Sequence, residues 1–185
     1  MVPLAALWLP ILLSSVVVFV VSAIVWMFLP YHRTDWLKLP DEAGTMDHLR
    51  QGNLTPGMYA IPYALDDPNS EETKAKFAAG PVGYLYVKPT EGALNMGPNL
   101  IKVFIYYLVL NFFLAYLGHA TLPVGTDYLK VFQVMGAAGF MAHSMANVHY
   151  AIWFGATWSF CWKNMFDGLL YGLLTAGIFA SMWPG

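Results

Sequence analysis

Seven side chains could do chemistry together: His32, Arg33, Asp35, His149, Lys163, Asn164 and Asp167. They comprise two acids, two cations, two imidazoles and an amide, and most are set next to long apolar stretches. Asp167 is the sharpest of them. An ionisable group within an apolar segment is costly, so it is expected to have a partner or a pathway. Lys163 precedes it by four residues, and on a helix that spacing places the two on one face. The first reading is therefore an ion pair at a helix start, where a negative charge also suits the helix dipole. The second is a buried partner from elsewhere, such as His149 or Arg33. The third is direct chemistry or ion handling by Asp167 itself. His32 and Arg33 read first as interfacial residues, with Arg33 reaching toward anionic lipid headgroups. A ligand site built from His32, Arg33 and Asp35 is the alternative.

No other stretch points to a reaction. The sequence has no glycine-rich phosphate loop, no His-Glu-x-x-His, no Gly-x-Ser-x-Gly and no paired cysteines. His143 and His149 are six residues apart, which on a helix is a rise of about 9 Å and a rotation of about 240°. They cannot share one metal within the chain. His143 reads as a neutral hydrogen-bond donor between helices, as do the amides of Asn111, Gln133 and Asn147. Cys161 is the single cysteine, so it reads as a small hydrophobe and no disulfide is available. No catalytic residue, metal or cofactor is expected.

The elements that position these residues follow from composition. The chain has 185 residues, of which 58% are hydrophobic and 11% charged. A soluble domain carries about 25% charged residues, so too little charge is present to solvate a globule of this size. The mean hydropathy is +0.52. The first charged side chain is Arg33. Apolar runs long enough to cross a bilayer, roughly 20 residues each, predict four spans: about Leu4–Leu29, Leu100–Gly118, Val131–Gly155 and Met165–Trp183. The first is too long for a signal-peptide core and reads as a retained anchor. The net charge of −2 gives no field for nucleic acid.

The expected fold is all-α and integral to the membrane. Span one occupies residues 1–30, a small mixed α/β insert residues 31–98, and spans two to four residues 99–185. Within the insert, helices are predicted from Pro40 to Gln51 and from Ser70 to Gly80, and strands over Met58–Ile61 and Val82–Val87. Two small-residue stripes at four-residue spacing predict close helix packing. One is Gly168, Gly172, Ala176 and Ala180; the other is Ala138, Ala142 and Ala146. Orientation follows the positive residues. Arg33, Lys38, Arg50, Lys74, Lys76, Lys88, Lys102 and Lys163 fall on one side and only Lys130 on the other. That makes the insert cytoplasmic and both termini periplasmic. It also brings the seven polar residues to the inner interface.

Several motifs carry a family resemblance. They are Leu29-Pro30-Tyr31-His32-Arg33-Thr34-Asp35-Trp36, Leu39-Pro40-Asp41-Glu42, Gly80-Pro81-Val82, Asn95-Met96-Gly97 and Phe166-Asp167-Gly168-Leu169-Leu170-Tyr171-Gly172. With these the chain resembles a group of small bacterial four-span inner-membrane proteins with no assigned activity. The resemblance implies a bacterial inner membrane and brings no site residues with it. The expected function is that of an accessory or scaffold subunit in a larger membrane complex, of respiratory or photosynthetic type, with membrane lipids and other subunits as partners. A small oligomeric transporter or channel is the alternative, and an enzyme acting on lipid headgroups is the third.

Overall fold

The computed structural model describes residues 1–64 and 66–185. The chain is mostly helical, with one small sheet. A 3₁₀ turn, Leu4–Leu7, leads into α1, Trp8–Met27. A second 3₁₀ segment, Pro30–Asp35, follows. The insert contains α2 (Glu42–Gln51), β1 (Gly57–Ile61), α3 (Glu71–Ala79) and β2 (Gly83–Val87). Four further helices complete the chain: α4 (Gly97–Thr121), α5 (Tyr128–Ser144), α6 (Ala146–Trp153) and α7 (Trp158–Ser181).

Leu4–Met27 and α4 are long and apolar enough to cross a membrane. The run Val16–Val21, rich in β-branched residues that favour strands, lies within helix α1. The helix α7 is as long, but Lys163, Asn164 and Asp167 stand in its first half.

The insert follows local chemistry. Asp41 caps α2 by accepting from the Gly44 amide, and Ser70 caps α3 by accepting from Thr73. The strands β1 and β2 pair antiparallel, with Met58 opposite Tyr86 and Ala60 opposite Tyr84. Those four share one face, because strand side chains alternate. Leu85 and Val87 lie on the other and are half-buried.

Two contacts fix the bundle. α5 packs on α7 where glycines let the backbones meet: a Cβ at Gly172 would lie 2.7 Å from the Phe140 nitrogen and 3.2 Å from the Gly136 oxygen. α1 meets α4 through Ser15, whose hydroxyl donates to the Tyr107 carbonyl at 3.2 Å, and through an edge-to-face contact of Phe19 with Phe104. An apolar core gathers Leu7, Leu114, Ala115, Val131, Met135 and Phe179, among others, toward one end. A smaller cluster of Val18, Val25, Tyr107 and Tyr171 lies toward the other.

The two ends of the bundle are each tied together. At one, His119 Nδ1 lies 2.6 Å from the Val2 carbonyl, the Gly125 amide donates to Pro184, and the Trp183 indole donates to Pro123. At the other, Asp35 and Trp36 share a cleft with Gly155, Ala156, Thr157 and Phe160.

The structure corrects three expectations. The segment Val131–Gly155 is not one helix. It breaks at Met145, where Ser144 donates back to the Phe140 carbonyl and Asn147 donates to the Ser144 carbonyl at 3.0 Å. Such side-chain back-bonding bends helices. The loop after α6 turns at Gly155 with φ of 71°, a left-handed conformation suited to glycine. Second, the last helix begins at Trp158 rather than Met165, because the Thr157 hydroxyl accepts from the Phe160 amide and caps it there. Third, Gly168, Gly172 and Ala176 do face α5, with Ala180 buried in the apolar core, but Ala138, Ala142 and Ala146 are not their counterpart. Ala142 and Ala146 are exposed, and Ala138 packs only at the core's margin. The face used is Gly136, Gly139 and Ser144, since only residues without a bulky Cβ substituent let the axes approach this closely.

Candidate functional site

The Pro30–Asp35 segment turns the chain from the end of α1 back against α7. Proline at its first position pre-sets the backbone and gives up no needed donor. A 3₁₀ turn eclipses residues three apart, which puts His32 above Asp35: His32 Nδ1 and Asp35 Oδ2 are 2.7 Å apart. The other ring nitrogen, Nε2, lies 2.8 Å from Asp167 Oδ2 on α7. The Tyr31 hydroxyl donates to the second oxygen of Asp167. Lys163 Nζ closes the circuit, donating to Asp35 Oδ1 at 2.6 Å, to the Tyr31 carbonyl at 2.7 Å and to Thr34 Oγ1 at 2.8 Å. Trp26, at the end of α1, stacks on the imidazole with centroids 3.9 Å apart and planes within 7°.

Burial makes this cluster consequential. Side-chain exposure is 1% for Asp35, 4% for His32 and Asp167, and 19% for Lys163. An imidazole between two ionised carboxylates satisfies both only if both ring nitrogens donate. The imidazole and the Lys163 ammonium thus stand against the two carboxylates, with the Trp26 ring covering the imidazole face. Burial works to raise the Asp35 pKa, but hydrogen bonds and charges from Lys163 and His32 outweigh it and hold the carboxyl below its ordinary range. Burial, the Asp167 hydrogen bond, and the charges of Asp167 and Asp35 push the Tyr31 phenol above its ordinary value. Tyr31 therefore serves as a hydrogen-bond donor.

The expected pairing of Asp167 with Lys163 is corrected. The two share a helix face, but each reaches to the 3₁₀ segment instead, because that segment offers both an imidazole and a carboxylate at the right height. Of the seven candidates, His32, Asp35, Lys163 and Asp167 come together. Arg33 is exposed, one third of a 3₁₀ turn round from His32. His149 is exposed on α6, beyond the break at Met145. Asn164 donates to the Phe160 carbonyl of its own helix at 2.8 Å.

Sequence reasoning missed Tyr31, Thr34 and Trp26. The available signal is the three-residue spacing of Tyr31–Thr34 and His32–Asp35 directly after a proline. His143 reaches between Tyr107 and Tyr171, with ring centroids 5.8 and 5.5 Å away, but its Nε2 makes no hydrogen bond among the described residues. It is thus not the interhelix donor expected through that nitrogen. Among the described residues, no three His, Cys, Asp or Glu side chains group as a metal site.

Chemically, the cluster is a fastener. Both carboxylates, the imidazole and the ammonium have their partners within it, and they join the end of α1 to the first half of α7. Comparison of the chain with protein-family models, with curated proteins and with solved structures finds no match.

Proposed function

We propose that the chain is a four-pass bacterial inner-membrane protein that acts as a non-enzymatic accessory or scaffold subunit of a larger membrane complex. The observation that carries this reading is the closed charge cluster. Its acids and cations are spent on joining helices, and its carboxylates and imidazole are almost wholly shielded.

The four-pass arrangement draws support from the paired ends of the bundle. The contacts of Val2 with His119 and of Gly125 with Pro184 gather one set of connections. Those of Lys163 with Tyr31 and Asp35 gather the opposite set. That is the pattern of helices running alternately up and down. The excess of Lys and Arg at the second end makes it cytoplasmic, and the bacterial inner membrane follows from the motif resemblance.

A partner is suggested by the insert. A lone two-stranded sheet is marginal in water. Here Met58, Tyr84 and Tyr86 are exposed on one face, and Tyr84 meets Phe154 with ring centroids 5.5 Å apart. A cleft of about 440 Å³ lies there between Met58, Tyr63, Tyr84 and Phe154. An aromatic face beside open strand edges suits a second protein chain.

Extraction of the tagged chain in native-lipid particles tests the reading. The expected product is an assembly of fixed composition, and Tyr84→Asp releases the chain from it while leaving its thermal midpoint in place. Recovery of the chain alone in such particles would overturn the proposal.

A further inference from the structure

We propose that the interior of the bundle binds a short file of water leading from Asp167 to the middle of the helices. On α7, Asp167, Tyr171 and Thr175 recur at four-residue spacing and are all buried. They form one inward face about 12 Å long. Tyr107 and Asn111 line α4 at the same spacing, and Ser14 and Ser15 lie on α1.

These groups are only half partnered by one another. Asn111 Nδ2 donates to Ser15 Oγ at 3.1 Å and to the Tyr107 carbonyl at 3.0 Å. Asn111 Oδ1, Ser14 Oγ, Thr175 Oγ1, the Tyr171 hydroxyl and His143 Nε2 have no hydrogen-bond partner among the described residues. Ser14, Asn111 and Thr175 are fully buried. Buried polar groups are almost always partnered, by protein or by ordered water. Five on four helices that face one another call for a molecule that both donates and accepts.

The apolar clusters fix their level. Ser14, Asn111 and Thr175 each stand between a residue of the larger core, such as Leu7, Leu114 or Phe179, and one of the smaller cluster, Val18, Tyr107 or Tyr171. The file therefore stops at the larger core. At its other end Tyr171 stands about one helical turn from Asp167 on the same buried face of α7. The His143 ring lies between those of Tyr107 and Tyr171, with centroids 5.8 and 5.5 Å away, so the file passes among aromatic side chains. Protons can then exchange along hydrogen-bonded water between the charged cluster and the bundle interior, while the larger core bars passage through to the far side.

Hydroxyl-radical footprinting of the membrane-embedded chain, read residue by residue by mass spectrometry, tests this. Radicals formed from bound water label the side chains beside it. Tyr171 is expected to label several-fold faster than Phe179, a buried aromatic in the larger core, after correction for intrinsic reactivity. The double variant Asn111→Leu, Thr175→Val is expected to slow labelling at Tyr171. Labelling of Tyr171 in the unaltered chain no faster than Phe179 overturns the proposal whether or not the variant folds.

Discussion

His32 sits between carboxylates from two elements, and its removal strands both. Breaking a buried, hydrogen-bonded ion pair costs about 3–5 kcal/mol because the remaining charge has no partner. Asp167→Ala is therefore expected to destabilise the chain by that order in a denaturation series, and His32→Ala comparably. Because both act on one network, the double variant should fall short of the sum, with a coupling of about 1–3 kcal/mol. Additive losses would show that the contact contributes little. Asp35 gives a pH dependence. Its folded carboxyl is held below the ordinary value of 3.8, so in that range the unfolded chain binds more protons. The stability it adds is fully present above the ordinary value and is lost as pH falls through the lowered one. Thermal midpoints measured on the acid side should drop over that window, and Lys163→Met should flatten the drop. The residue types of this site were legible in the sequence, since a buried Asp167 demands a partner. The partner was not, because helix periodicity favours Lys163 and only the turn after Pro30 brings His32 within reach.

At the scale of elements, the α5–α7 contact depends on glycine. A Cβ at Gly172 would meet backbone atoms of Phe140 and Gly136, which cannot turn aside as a flexible side chain would. Gly172→Ala is expected to cost about 1–3 kcal/mol, as overpacking does. Gly177→Ala is the contrast: the nearest atom to its Cβ is the Tyr128 hydroxyl at 3.9 Å. It should be neutral or stabilising by up to about 1 kcal/mol through helix propensity. Equal losses at both positions would argue against close packing at Gly172. The insert elements were legible from their caps and turns, because Asp41, Ser70 and the flanking prolines act locally. The break at Met145 was not. Ser144 and Asn147 read as ordinary polar residues in an apolar run, and their bonds back to the helix appear only once the helix exists. The alanine stripe misled for a related reason: small residues permit close approach, but the rotation of α5 is set by which glycines meet Gly172.

For the whole molecule, the two sets of contacts at opposite ends of the bundle carry the membrane reading. α1 and α4 are long and apolar enough to cross a bilayer. α5 and α7 lie against them in antiparallel succession, tied at one end near Pro184 and at the other near Asp35. The composition predicted apolar helices long enough to cross a membrane, and two are present. It did not reveal that a charged cluster, rather than apolar packing alone, joins the end of α1 to α7. The most direct test is the sidedness of the connections. In a Cys161→Ala background, single cysteines at Glu91, Asp127 and Ala156 would be labelled with a membrane-impermeant reagent in right-side-out and inverted vesicles. The expected result is labelling of Glu91→Cys and Ala156→Cys from the cytoplasmic face only and of Asp127→Cys from the periplasmic face only. Labelling of Asp127→Cys and Ala156→Cys from the same face would mean that α5 does not cross, and would contradict the four-pass account.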